Sequence, residues 1–137
     1  MKHSPAEKLL SFLEKKPLLA WALVAGYAAT IFILSSMSYP PQPIEPGSKL
    51  AADIISTAEH LTEYAIFGFL LLAALGSRSG IVRENAATLA ILAATFYGAT
   101  DEIHQYFVPY RECNIIDLAA DFLGASMGVF IGKHKRA

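Results

Sequence analysis

Acidic and imidazole side chains gather in three short stretches of an otherwise apolar chain of 137 residues. Such groups can act as general acids and bases, and they can bind divalent metal ions. Residues three and four positions apart share one face of a helix, so each stretch predicts one polar helix face. The three faces carry His60, Glu63 and Tyr64; Asp101, His104 and Gln105; and Asp117 and Asp121.

A divalent-metal site is the first chemistry that these residues predict. Carboxylate and imidazole ligands suit Mg, Mn or Zn, although the chain has no HExxH or cysteine-based zinc motif. The alternative is that the same groups only form hydrogen bonds between helices and fix their register. The candidate ligands are His60, Asp101, His104, Asp117 and Asp121, with Glu102 or Glu63 as a base or as a group that orients a ligand.

Acid–base catalysis by a carboxylate pair is the second interpretation. Crowded carboxylates at a low-dielectric boundary do not all ionise, so one holds a proton near neutrality while another accepts one. We expect Asp101 and Asp117 to form this pair, with His104 as a proton relay or as a structural partner. The candidate catalytic residues are Asp101, Glu102, His104 and Asp117, and the candidate substrate-binding residues are Gln105, Arg111 and Tyr64.

Arg111 has two interpretations. Its planar guanidinium suits a phosphate or a carboxylate, but an isolated arginine also forms surface salt bridges.

Four apolar segments must position these side chains. They lie at residues 18–36, 54–75, 86–106 and 115–131, each near the ~20 residues that span a hydrocarbon core. They lack the alternation of barrel strands and are rich in Ala, Leu, Ile and Gly. With 54% hydrophobic and 17% charged residues, the chain is predicted to be an all-α membrane bundle of four transmembrane helices.

The basic residues predict the orientation of this bundle. Nine of the eleven Lys and Arg residues precede the first segment, separate the second from the third, or follow the last. Only Lys49 and Arg111 lie in the other two connections. Because basic loops stay on the cytoplasmic side, we expect both termini in the cytoplasm and the acidic faces outward.

The chain is expected to form a single domain over residues 1–137, in which residues 1–16 are a basic amphipathic segment on the membrane surface and residues 133–137 a basic tail. The first apolar segment is longer than the core of a signal peptide, so we expect it to be retained. A net charge of −1 argues against nucleic acid as a partner.

A longer string of residues runs through all four segments. It consists of Ser35-Ser36; His60, Tyr64 and Gly68; Asp101-Glu102-x-His104-Gln105-x-Phe107-x-Pro109-x-Arg111; and Asp117, Asp121, Gly124 and Gly128. This string resembles the VanZ-like membrane family over about residues 27 to 132. Three positions depart from the usual family pattern: Thr57 stands where Lys is frequent, Tyr110 where Gly is frequent, and Asp121 where Asn is frequent.

The resemblance implies a multi-pass protein of the bacterial plasma membrane, in a family whose namesake is associated with glycopeptide resistance. We expect a membrane-embedded, metal-dependent or acid–base hydrolase or transferase that acts on an envelope lipid or lipid-linked precursor. Nine of the twelve acidic residues lie toward the predicted outer side, so a phosphate-bearing substrate needs a divalent ion or a proton there.

Two alternatives remain at this stage. One is a non-catalytic envelope protein that binds a lipid or a glycopeptide drug and alters surface access. The other is a small transporter, for which four short-looped helices leave little room without oligomerisation. The sequence selects neither a substrate nor an oligomeric state.

Overall fold

Six α-helices and no strands form the part of the chain that the computed structural model describes, residues 4–38 and 47–133. The predicted all-α class is confirmed. Residues 1–3 of the predicted N-terminal segment and residues 134–137 of the predicted tail lie outside the described part. The helices are α1 (Pro5–Glu14), α2 (Pro17–Ser35), α3 (Lys49–Gly76), α4 (Ile81–Glu84), α5 (Ala86–Tyr106) and α6 (Ile115–Lys133).

Three of these helices, α2, α3 and α6, are long and apolar enough to cross a membrane. The sequence predicts four such helices, and the fourth predicted segment coincides with α5. This helix has 21 residues, but Asp101, Glu102 and His104 replace apolar residues in its last turns. By length and composition, three of the described helices are therefore candidate spans. α5 is not among them because charged residues make its end polar.

The surface of the bundle is rich in apolar side chains. Leu18 on α2, Phe96 on α5 and Phe130 on α6 are 88%, 73% and 64% exposed. A water-soluble protein rarely exposes so many large apolar side chains, whereas a hydrocarbon environment favours them. The chain thus has the surface of a membrane protein.

α3 and α6 run in the same direction and share the most extensive contact of the described helix pairs. At Gly124 a side chain would collide with the backbone carbonyl of Leu61, and at Gly128 with that of Ala65. The two backbones touch because neither glycine has a Cβ atom, as in small-xxx-small membrane interfaces. This register brings the polar face of α3 against that of α6.

The two ends of the bundle carry opposite charges. Glu102 near the end of α5 bonds to Asn114 just before α6, and Ser36 after α2 bonds to His104 of α5. The ends of α2 and α5 therefore meet the starts of α3 and α6, and we name this the acidic end. The opposite end, where α3 and α6 finish and α1 and α4 lie, is the basic end.

α1 is a short amphipathic helix at the basic end, within the predicted N-terminal segment. Ser4 and Glu7 cap its start with reciprocal hydrogen bonds of 3.2 and 2.8 Å, which satisfy backbone groups that have no partner inside the helix. Leu10 and Leu13 are buried, and Leu10 lies against the position of Gly132 at the end of α6. α1 therefore packs on the ends of the longer helices.

Replacing Gly128 with alanine is expected to destabilise the fold by about 1–3 kcal/mol, the usual cost of forcing extra atoms into a packed contact. Gly26→Ala in α2 is the matched control, because a Cβ there would meet no atom within 4 Å. The free energies of unfolding should be compared in one detergent by circular dichroism. Equal values for the two variants would contradict the close contact between α3 and α6.

Candidate metal centre

Three buried side chains from three helices converge at the acidic end. They are His60 of α3, Glu102 of α5 and Asp117 of α6, and one ligand atom from each lies within 4.8 Å of the others. Nε2 of His60 is 3.9 Å from Oε1 of Glu102 and 4.0 Å from Oδ2 of Asp117. An ion at the centre of these three atoms would reach each of them with a bond of ~2.0 to 2.5 Å, the usual length for metal ligands. We name these three residues the triad.

Asp121 holds the imidazole of His60 in place. Nδ1 of His60 lies 2.8 Å from Oδ1 of Asp121, one turn along α6 from Asp117. A carboxylate only accepts hydrogen bonds, so Nδ1 carries the hydrogen, and with an ion bound Nε2 of the neutral ring would direct its lone pair between Glu102 and Asp117. Histidine ligands in metal proteins are commonly oriented by a carboxylate in this manner.

In each carboxylate of the triad, one oxygen accepts a hydrogen bond and the other lies toward Nε2 of His60. Oε2 of Glu102 accepts a hydrogen bond of 2.7 Å from the backbone N–H of Asn114. Its Oε1 atom is buried and has no hydrogen-bond partner among the described residues. Asp117 accepts a bond of 3.4 Å from the hydroxyl of Thr57 at Oδ1, while Oδ2 faces His60. Because a buried carboxylate oxygen without a partner is costly, a cation between these atoms would stabilise them.

The remaining predicted ligands and acid–base residues lie outside the triad. Asp101 accepts a hydrogen bond of 2.9 Å from the side-chain amide of Gln105, and both residues are buried. His104 lies 3.0 Å from the hydroxyl of Ser36, and its ring stacks on Phe32 with centroids 4.7 Å apart. The structure therefore separates the predicted metal set: His60 and Asp117 belong to the triad, Asp121 supports it, and Asp101 and His104 have other partners.

Two predicted substrate-binding residues flank this centre on opposite sides. Tyr64 is fully buried, and its ring stacks near His60 with centroids 6.4 Å apart. Its hydroxyl has no hydrogen-bond partner within residues 4–38 and 47–133. Arg111 is half-buried in the connection between α5 and α6, and it interacts electrostatically with Glu59, the neighbour of His60 in the sequence. Tyr64 thus faces the core, and Arg111 lies at the rim.

Asn114 is a site residue that the sequence analysis missed. It precedes α6, and its side-chain oxygen accepts a bond of 3.0 Å from the backbone N–H of Ile116. It fixes the first turn of α6, which carries Asp117, while its own N–H holds Glu102. The sequence did contain a signal for this role. Asparagine is favoured immediately before a helix, and an acidic residue three positions later is typical of a helix start.

The connection between α5 and α6 contains one unusual backbone conformation and the single cysteine. Tyr110 has a φ of 64°, in the left-handed region that glycine adopts without a Cβ clash. Cys113 is exposed. Desolvation and the neighbouring Glu102 carboxylate raise the pKa of its thiol.

Replacing Glu102 with glutamine is expected to lower the pKa of the Cys113 thiol and to speed its alkylation at a fixed pH near 7.5. A nearby negative charge disfavours the thiolate, which is the reactive form, and the variant removes that charge. The rate of maleimide labelling should be measured with EDTA present. Glu112→Gln is the matched control, and no rate difference between the two variants would contradict the proximity of Glu102.

Comparison with known protein families gives one match. The model of the VanZ/LLP1 family matches residues 18–136, a range that contains α2 without its first residue, α3 to α6, and every residue of the triad. Neither the curated proteins nor the solved structures contain a match.

Proposed function

The chain belongs to the VanZ/LLP1 family, and from this premise we propose that it is a membrane-embedded, divalent-metal-dependent hydrolase or transferase. Its substrate is a phosphate-bearing envelope lipid or lipid-linked precursor. The observation that carries this proposal is the convergence of Nε2 of His60, Oε1 of Glu102 and Oδ2 of Asp117 at one buried point.

Three protein ligands suit a catalytic ion better than a purely structural one. A structural zinc site is usually closed by four protein ligands, whereas catalytic sites keep a position for water or substrate. An ion held by the triad would polarise a phosphoryl oxygen and lower the pKa of a bound water. Of the predicted ions, Zn and Mn suit a histidine with two carboxylates better than Mg, which prefers oxygen ligands alone.

The charge at the acidic end supports the need for this ion. A phosphate would be repelled by the excess of carboxylates unless a cation intervened. Lys49 and Arg111 are the basic residues of the described chain at this end. The acidic residues there are Asp53, Glu59, Glu63, Asp101, Glu102, Glu112, Asp117 and Asp121.

The other residues of the site have supporting roles in this proposal. Asp121 is a positioning residue, because it acts on the ion through His60. Asp101, bonded to Gln105 one turn away, is the remaining acid–base candidate. Arg111 at the rim binds the phosphate of the head group, since its planar guanidinium can donate two parallel hydrogen bonds.

Purified protein is expected to contain one divalent ion per chain, and Glu102→Gln and Asp117→Asn should each lower metal affinity at least about tenfold. The loss of an inner ligand should have at least the ~10–100-fold effect typical of second-shell changes. Asp101→Asn is the matched control for metal content, since that carboxylate is buried on α5 outside the triad. Metal should be measured by mass spectrometry after dialysis.

Activity should be assayed on phospholipids and polyprenyl phosphates with and without EDTA. We expect turnover that needs the ion and is lost in Glu102→Gln and Asp117→Asn. Equal metal content in the wild type and both triad variants, or turnover that survives chelation, would rule out the proposed mechanism.

The burial of all three ligands favours a second candidate function. The side chains of His60, Glu102 and Asp117 are only 7%, 4% and 9% exposed, so substrate access requires a local opening. A protein that binds a lipid or a glycopeptide drug without turnover needs no such access to the ion. Metal binding and lipid retention without turnover would favour this candidate.

We also propose that α5 crosses the membrane beside the three candidate spans α2, α3 and α6, with both termini in the cytoplasm. The 21 residues of α5 extend about 31 Å at 1.5 Å per residue, which is enough to cross the hydrocarbon core. Its polar residues Asp101, Glu102 and Gln105 are buried in the bundle, so they do not face lipid. The exposed basic residues of the opposite end favour the cytoplasmic side.

Cys113 provides a direct measurement of this topology. It is the only cysteine in the sequence and is exposed at the acidic end, so a membrane-impermeant maleimide should label it in intact spheroplasts. The matched control combines Cys113→Ser with Ser79→Cys, which moves the thiol to an exposed position at the basic end and should require permeabilisation. The reverse labelling pattern would invert the orientation.

A further inference from the structure

We propose that the basic end of the bundle binds anionic phospholipid head groups through α1 and the cations around it. This surface lies at the opposite end from the candidate metal centre, and the inference does not depend on the proposed reaction. Its basis is the combination of exposed apolar side chains and exposed cations at one level of the protein.

α1 presents apolar side chains on two sides. Leu10 and Leu13 are 0% and 2% exposed, because they pack on the bundle, whereas Leu9 and Phe12 are 50% and 47% exposed. Residues 9 and 10, and residues 12 and 13, are consecutive, so each pair spans about 100° of the helix surface. One apolar side therefore fixes α1 to the protein, and the other contacts no part of the described chain that would bury it.

Exposed cations lie at the same end of the bundle as this second apolar side, and one of them contacts it. Lys16 places its ammonium 4.6 Å from the centroid of the Phe12 ring. Three acidic residues also lie at this end: Glu7 accepts a bond from the Ser4 N–H, Glu14 packs against Gly76, and Glu84 is exposed. The exposed cations outnumber them. The exposed cations are Lys8, Lys15, Lys16, Arg78, Arg83 and Lys133.

The apolar residues that continue from this surface identify lipid as the partner. Leu18 at the start of α2 and Ile81 in α4 are 88% and 77% exposed, and α2 is long and apolar enough to span a membrane. Lysines that flank such residues lie at the level of the phosphates, where anionic lipids attract them. An amphipathic helix with lysines beside leucine and phenylalanine has the composition of an interfacial helix.

Trp21 offers a native probe of this surface. It is the only tryptophan in the sequence, lies in the second turn of α2 and is 39% exposed. The full-length protein should be reconstituted in phosphatidylcholine bilayers that contain dibrominated phosphatidylglycerol or, separately, dibrominated phosphatidylcholine. Bromine quenches the indole fluorescence only when the lipid lies next to it, so the two quenching curves report the relative affinity of the two lipids.

We expect phosphatidylglycerol to be preferred at least about threefold in low salt, since one lysine near an anionic surface accounts for about a fivefold effect. The ratio of the affinities for phosphatidylglycerol and phosphatidylcholine should fall toward one in the triple variant Lys8→Gln, Lys15→Gln and Lys16→Gln. Lys16→Gln and Lys49→Gln form a matched pair of single changes at opposite ends, and only the first should reduce the preference.

Three results would overturn the proposal. They are equal quenching of the wild type by the two lipids, an unchanged preference in the triple variant, and a preference that persists in the wild type at about 1 M salt, where the screening length is only about 3 Å. The salt titration needs no substitution, so it remains decisive if the triple variant does not fold.

Discussion

The candidate metal centre depends on the contact between α3 and α6. Gly124 and Gly128 allow these two helices to approach until backbone meets backbone, and such a contact has one favourable register. A shift of one residue would translate α6 by 1.5 Å and turn it by 100°. Such a shift would separate His60 from Asp121, which are now 2.8 Å apart. The small residues in the apolar half of the bundle therefore determine the geometry of its polar half.

The register has an energetic consequence because it brings ionisable groups out of water. Removing a single ion from water costs several kcal/mol even after relaxation, and seven polar or charged side chains are buried in the described chain. The structure offsets part of this cost with local bonds, such as that from the N–H of Asn114 to Glu102. Buried ion pairs contribute little net stability, so stability alone does not account for the triad. The proposed cation would account for it.

Helix periodicity predicts much of this arrangement. The spacing of His60 with Tyr64, and of Asp117 with Asp121, places each pair on one helix face, and the structure turns those faces toward each other. Periodicity does not determine how α5 is rotated. We predicted Asp101 as the ligand and Glu102 as a base, but the two residues lie about 100° apart, so periodicity alone does not show which of them meets His60 and Asp117.

Two tertiary contacts decide that rotation. Gly98 of α5 faces the carboxylate of Asp121, and Asn114 holds Glu102. As a result Glu102 joins the triad, while Asp101 turns to Gln105. The same dependence on tertiary structure applies to Tyr110, where the φ of 64° gives a physical reason for the glycine that is frequent at this position in VanZ-like proteins.

The net charge of −1 conceals a strong separation of charge along the bundle. Carboxylates collect at the end where α3 and α6 begin, and exposed lysines and arginines collect where they finish. Salt screens the exposed cations of the basic end, whereas it screens the buried carboxylates of the acidic end much less. In the two proposals, the acidic end would concentrate cations near the triad, and the basic end would attract anionic head groups. One distribution of charge would thus act both on the orientation of the protein in a membrane and on the ions available to its candidate site.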